Sequence, residues 1–231
     1  MYAYPQADRW LRANMVASLD GAASYDGKVS PLGSEVDQQV LSLLRGLSDV
    51  VIVGANTVRV EGYGPIPPRD SWREIRQGRP QAPPLAIVSA RLDLDFDAPV
   101  FAEAYVRPIL ITCASAPAER RRAAERYADV IVCGDLVADI DEALDALAER
   151  GLTRQLSEGG PRLLAEIAGA GRLDELCLTL SPRIVAGAAP RILSGPLIEG
   201  ISMRLERVFE EDGFLFMRYL RADAPDVGVA G

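Results

Sequence analysis

The sequence predicts an α/β domain: a mostly parallel central sheet, helices flanking it, and an antiparallel hairpin at the C-terminal end. Three observations carry this. Short apolar runs alternate with amphipathic helical stretches along most of the chain, the order that builds a parallel sheet. The run Val50-Val51-Ile52-Val53 is continuously apolar, as in a strand buried on both faces. Near the C-terminus, Glu211-Asp212-Gly213 separates two strand-like segments, a hairpin signal.

Taken in order, Arg12 to Leu19 is the first strand and ends at the turn Asp20-Gly21. Residues 22 to 33 are small and polar and read as a loop. Ser34 opens a helix with Asp37 three positions on as its capping-box partner. Val36, Val40, Leu43, Leu44 and Leu47 give that helix one buried stripe. A strand follows over Asp49 to Gly54. Glu61 to Pro84, dense in Gly and Pro, is a long loop of the kind usually reserved for function. Strands are predicted at Leu85 to Ser89, Pro108 to Cys113, Asp129 to Cys133, Leu152 to Ser157 and Asp174 to Ser181. Helices are predicted at Pro117 to Tyr127, after the cap Asp139, and from Pro161 to Ala168. Arg204 to Phe209 and Phe214 to Leu220 form the hairpin. No linker or repeat divides the 231 residues, so a single domain is expected over 1–231, with an ordered core of about 12–220 and a tail over Ala222 to Gly231.

Composition narrows the chemistry. The net charge is −8 and the pI near 4.8, which argues against a nucleic-acid surface. No apolar run reaches the length of a membrane span. The chain has no histidine, which removes His-dependent nucleophilic catalysis and His-containing metal sites. Cys113, Cys133 and Cys177 are too scattered for a zinc site and read as buried structural thiols, so no metal is expected. An odd cysteine count and the lack of a basic, apolar N-terminal leader make the cytoplasm the expected compartment. Chemistry is left to carboxylates, hydroxyls, guanidiniums, backbone amides and a borrowed cofactor.

Two strand-to-helix junctions suit an anion. In Val53-Gly54-Ala55-Asn56-Thr57 a strand ends at glycine, and Asn56 or Thr57 can cap the following helix turn. In Ser157-Glu158-Gly159-Gly160-Pro161-Arg162 two glycines admit close backbone approach, and Pro161 suits a first helical position. The carboxyl ends of parallel strands gather on one rim of a sheet, where ligands bind. A dinucleotide pyrophosphate lying between the two helix starts explains both junctions. Neither is the G-x-G-x-x-G fingerprint, which disfavours an ordinary Rossmann domain.

The series Ser18-Leu19-Asp20-Gly21, Gly54-x-x-Thr57, Glu158-Gly159-Gly160-Pro161, Leu173-Asp174-Glu175-Leu176 and Ser181-Pro182 resembles the reductase domain of the bifunctional riboflavin-biosynthesis deaminase–reductase family. The likeness runs from about Arg12 to Leu220 and is nearest to the stand-alone actinobacterial-type pyrimidine reductases. It implies a dihydrofolate-reductase-like fold, NADPH as cofactor, and reduction of a ribosylamino-pyrimidine 5′-phosphate by hydride transfer to the ribose C1 carbon. A homodimer is also implied. One branch of the group suggests dihydrofolate or another pterin as an alternative substrate; a non-catalytic dinucleotide-binding protein is the alternative from another class.

By position, the resemblance places cofactor contacts on Val16, Gly54, Thr57, Glu61, Ser89, Gly159, Gly160, Pro161, Arg162 and Leu163, and substrate contacts on Ser30, Arg45 and Glu158. Arg91 is the cation nearest Ser89 and a candidate for an adenosine 2′-phosphate, or else a solvated loop charge. Arg45 either reaches a ligand phosphate or extends to solvent. Asp20 is the expected catalytic group, a proton donor or hydrogen-bond partner beside the reacting carbon, or else the holder of its own turn. Glu61-Gly62-Tyr63-Gly64-Pro65, with Arg69 somewhat downstream, replaces the family's Asp-Asp-Pro-x-Leu and following Arg, a departure in the segment that the resemblance implies helps hold the substrate phosphate. Tyr63 and Trp72 either stack on a heterocycle or pack the loop down.

Overall fold

The computed structural model describes residues 2–223. Nine strands form one sheet in the order β5-β4-β3-β2-β6-β1-β7-β9-β8. The strands are β1 (Trp10–Ser18), β2 (Val50–Gly54), β3 (Leu85–Val88), β4 (Ile109–Thr112), β5 (Asp129–Val132), β6 (Arg154–Ser157), β7 (Glu175–Ser181), β8 (Met203–Glu211) and β9 (Phe214–Arg221). From β5 across to β7 all neighbours are parallel; β9 pairs antiparallel with both β7 and β8. The expected architecture is therefore the observed one. Most of the expected tail, residues 224–231, lies outside the described residues.

Helices cover both faces. On one face lie α1 (Glu35–Leu47), α2 (Ala55–Glu61), α3 (Pro99–Ala102) and α4 (Ala118–Ala124), whose Leu44, Val58, Phe101 and Ala124 share a core with Val51, Val53, Ile87 and Leu110. On the other lie α5 (Ile140–Glu149) and α6 (Pro161–Gly169), whose Leu144, Leu147, Leu164 and Ile167 pack against Leu11, Val50, Ile52 and Ala86. Adjacent residues of β2 thus feed opposite cores, which is why its sequence is apolar without alternation. The α1 stripe is buried at Val40 and Leu44, but Leu43 is 39% exposed, on the flank of the helix.

Two parts of the fold carry no clear sequence signal. The long loop is pinned by arginines: Arg76 Nη1 donates to Gly46 O at 3.0 Å and Ser48 O at 2.5 Å, and its Nε donates to Pro80 O at 2.7 Å. Trp72 is buried against Gly46, where a Cβ would lie 2.5 Å from its Cδ1; this aromatic packs the loop down. At the start of β1, β7 and the end of β9, Arg12 and Arg218 both pair with Glu175, at 2.7 Å each, with all three side chains buried. Trp10 Nε1 donates to the same carboxylate at 2.9 Å, Arg12 Nη2 donates to Tyr2 O at 2.8 Å, and the Tyr4 ring lies 4.2 Å from the Arg12 guanidinium. The two guanidiniums hold the Glu175 carboxyl below its ordinary pKa against the opposing effect of burial.

Candidate active site

β2 and β6 are sheet neighbours, with Ile52 in register with Ser157, so the two glycine junctions meet at one point of the carboxyl rim. Glu158 N–H donates to Ile52 O at 2.9 Å, and Gly54 N–H donates to Gly159 O at 2.8 Å. The left-handed backbone at Gly159 and the close side chains of Met15 and Thr57 favour glycine there. Gly159 has φ +76°, and a Cβ on it would stand 3.1 Å from Met15 Sδ; a Cβ on Gly160 would stand 2.5 Å from Thr57 Oγ1. The first bond inside α6 runs from Leu164 N–H to Gly160 O, so the amides of Arg162 and Leu163 precede the helical ladder. One expectation is corrected: neither Asn56 nor Thr57 caps α2. Gly54 occupies the N-cap and the helix starts at Ala55, which puts Thr57 in the first turn with its hydroxyl toward Gly160.

A cavity of about 400 Å³ opens beside this junction, between β1, α1, α2 and the start of α6. Of the residues singled out in the sequence, Val16, Ser30, Arg45, Thr57, Glu61, Glu158, Gly160 and Pro161 line it. Gly54 and Gly159 form the backbone behind them. Four others stand apart from the lining. Ser89 is buried at the end of β3, its Oγ accepting from Leu92 N–H at 3.0 Å. Arg91 and Arg162 project to solvent, and Leu163 is a core residue beneath Gly54.

Asp20 also lies outside the cavity lining, and its geometry does not suit the proton-donor role expected of it. Oδ1 accepts from Ser18 Oγ–H at 2.5 Å and Val185 N–H at 3.1 Å, and Oδ2 accepts from Ala186 N–H at 2.6 Å. The Ser18 hydroxyl first, and then the two amides, pull its pKa down to about 2. The group is an ionised tether between the end of β1 and the segment following β7. Such a carboxylate is a poor acid near neutrality.

On the far wall of the cavity, Arg45 and Glu158 form a two-pronged ion pair: Nε to Oε1 at 2.6 Å and Nη2 to Oε2 at 2.7 Å. Tyr63 Oη–H donates to Oε2 at 2.7 Å, so both Glu158 oxygens are engaged. Burial works against the Arg45 charge, but the Glu158 carboxylate outweighs it and holds the guanidinium protonated. Burial, and then the same carboxylate, raises the Tyr63 hydroxyl well above its ordinary pKa. Tyr63 is thus the loop aromatic that reaches the cavity, as Trp72 is the one that does not.

The sequence reading missed Asp37. Its N–H donates to Ser34 Oγ at 3.1 Å, as a capped first turn requires, but its carboxylate does not return to the cap. Oδ1 instead accepts from Thr179 Oγ1–H at 2.7 Å, across to β7, and the side chain lines the cavity. Burial raises its pKa, with the Thr179 bond acting in the other direction. A signal was available: the capping box uses Glu or Gln at this position, and Asp is one methylene shorter.

A family model described as the RibD C-terminal domain matches residues 9–212. A 2,5-diamino-6-ribosylamino-4(3H)-pyrimidinone 5′-phosphate reductase of Archaeoglobus fulgidus is 27% identical over 190 residues, 80% of this chain and 86% of that protein. The enzyme of the same name from Methanothermobacter thermautotrophicus is 26% identical over 219 residues, 87% of this chain and 95% of that one. Among solved structures, a pyrimidine reductase-like protein from Corynebacterium diphtheriae superposes with a TM-score of 0.83 at 28% identity, covering 94% of this chain and 93% of that one.

Proposed function

The chain belongs to the RibD C-terminal domain family, and from that premise we propose that it is an NADPH-dependent reductase of a ribosylamino-pyrimidine 5′-phosphate. The observation that carries this reading is the paired glycine junction: two backbone crossings about a hundred residues apart in sequence, hydrogen-bonded to each other beside a cavity. The fit to a dinucleotide rests on the bare backbone at Gly159 and Gly160, where Cβ atoms would meet Met15 and Thr57. Gly54, Thr57, Gly160 and the leading amides of α6 at Arg162 and Leu163 would hold a pyrophosphate; Val16 and Pro161 would flank the nicotinamide. Ser89 and Arg91, at the end of the next strand, would face the adenosine and its 2′-phosphate. Glu61, which accepts from Val29 N–H at 3.1 Å, keeps the segment bearing Ser30 at the cavity mouth.

When bound, a reduced pyridine nucleotide would supply a hydride to the ribose C1 carbon, with the C1–O bond of the sugar ring breaking and its oxygen taking a proton from water. The protein's part is positioning and exclusion of water. Ser30 meets the sugar phosphate, and the Arg45–Glu158–Tyr63 wall fixes the position of the substrate. With each charge of that wall already matched, the wall itself presents no unpaired charge to the substrate. The name of the two microbial relatives supports a diaminopyrimidinone substrate.

The face of β7 and β9 opposite Cys177 and Arg218 carries half-buried Leu176, Leu178, Leu180, Leu215, Met217 and Tyr219, continued by the more exposed Leu205 and Val208 on β8. Such an apolar sheet face supports the expected homodimer.

The test has two steps. Calorimetry should detect NADPH binding, tighter than NADH, and oxidation of NADPH should then depend on the ribosylamino-pyrimidine phosphate. Absence of binding by either coenzyme overturns the reading; binding without turnover on that substrate overturns the substrate assignment alone.

A further inference from the structure

A second cavity, of about 430 Å³, opens within the arginine-pinned loop and shares no lining residue with the first. Arg69, Arg73, Arg76 and Arg79 line it, against a single acidic residue, Asp70. Two of the four cations are already matched: Arg73 pairs with Asp70 at 2.8 Å, and Arg79 with Asp49 at 2.9 Å. Among the described residues no carboxylate pairs with Arg69 or Arg76. Arg76 differs from the others in depth, being 3% exposed where Arg69 and Arg73 stand in solvent. Its Nε and Nη1 are taken up by the backbone carbonyls of Pro80, Gly46 and Ser48. Nη2 is buried with no acceptor among the described residues. Burial, and then the neighbouring Arg79, pull the Arg76 pKa down to about 10, with Asp49 acting in the other direction.

Neutral carbonyls alone hold this guanidinium, and a buried cation with an open donor and no anion is costly. An oxyanion supplies both the missing acceptor and the counter-charge, and the planar fork of arginine matches phosphate oxygens. The rim is able to admit one, because the Arg73–Asp70 pair is exposed and weakly held. Gln77 and Gln81 add neutral amide donors to the wall. The volume falls in the range of small-molecule sites, which leaves room for an organic group beside a phosphate.

We propose that this arginine-lined cavity is a second ligand site, which takes a dianionic phosphate group, free or as a small monoester, with Arg76 at its base and Arg69 at its rim. The inference goes beyond the reductase reading and does not rest on it. Arg76 also fastens the loop to the carbonyls at the end of α1. An occupied site would therefore hold the loop that carries Tyr63 more firmly against the helix that carries Arg45.

The test is calorimetric titration of glycerol 3-phosphate and of inorganic phosphate into the protein, with sodium chloride at equal ionic strength as the control. Glycerol 3-phosphate should bind with a Kd of about 1 mM or tighter, and inorganic phosphate about threefold more weakly. The reverse order supports the same site and assigns it to the free ion. Arg69→Gln, at an exposed position, should weaken the binding about tenfold, and Arg76→Gln should abolish it. Ser30→Ala, in the first cavity, should leave it unchanged. Heat no greater than that of chloride overturns the proposal, as does binding that Arg69→Gln leaves intact or that Ser30→Ala removes. Arg69→Gln decides the matter even if Arg76→Gln fails to fold.

Discussion

The Arg12–Glu175–Arg218 and Arg45–Glu158 clusters stand at opposite ends of the central strands, and they share chemistry but not surroundings. Arg12, Glu175 and Arg218 are sealed: two cations share one anion, with Tyr4 stacked over Arg12 and the Tyr2 carbonyl on its Nη2. Arg45 and Glu158 form a single matched pair on a cavity wall, and the arginine side chain retains 23% of its exposure. The sealed cluster joins three strands and an N-terminal segment, so its loss is a loss of fold. The matched pair joins a helix to a strand end where a ligand enters, so its loss is a loss of site. A buried ion pair is weak evidence for stability by itself, and what surrounds the pair decides its consequence.

The sharpest way to break this contrast is Glu175→Gln. It removes the carboxylate that the buried Arg12 and Arg218 share, and stability should fall by about 3–5 kcal/mol in denaturant unfolding. Glu158→Gln, which leaves Arg45 a neutral amide partner and a path to the cavity, should cost less, about 1–3 kcal/mol by the same measurement, while turnover under saturating coenzyme falls about 100-fold. Equal destabilisation by the two substitutions would erase the distinction. Gly160→Ala comes next. Its Cβ would collide with Thr57 Oγ1, so coenzyme affinity should fall about tenfold with the fold retained, and adding Thr57→Ala should restore part of the loss. The smallest effect belongs to Asp20→Asn, for which turnover should stay within about twofold of the unmodified protein. Because the folded pKa of Asp20 is depressed from 3.8 to about 2, its contribution to stability is full above the ordinary value and disappears as pH falls through about 2. Acid unfolding curves of Asp20→Asn should lack that share of the pH dependence.

Local pattern explains why much of this was readable. Strand periods, the Ser34 cap, the glycine junctions and the C-terminal hairpin are each determined by a few consecutive residues, and the structure contains all of them. Long-range pairing explains most of what was not. Nothing adjacent to Arg12 in the chain announces Glu175, and nothing near Asp37 announces Thr179; each partnership arises only when β1, β7 and α1 come together. Asp20 shows the opposite error. The Asp-Gly turn is correctly placed, but the carboxylate turns toward Val185 and Ala186, in a segment whose path has no periodic signal. The 3₁₀ turn Asp70–Trp72 and helix α3 were missed because elements of three or four residues have too short a pattern to detect.

The bond from Gly54 N–H to Gly159 O also has a kinetic meaning. The crossing it closes exists only once chain segments far apart in sequence have docked, so a half-assembled polypeptide offers a coenzyme nothing to grasp. A small molecule captured solely by the finished topology draws the folding equilibrium toward it by mass action. If the proposed coenzyme binds at that crossing, adding it should slow proteolysis of the protein as well as support its activity.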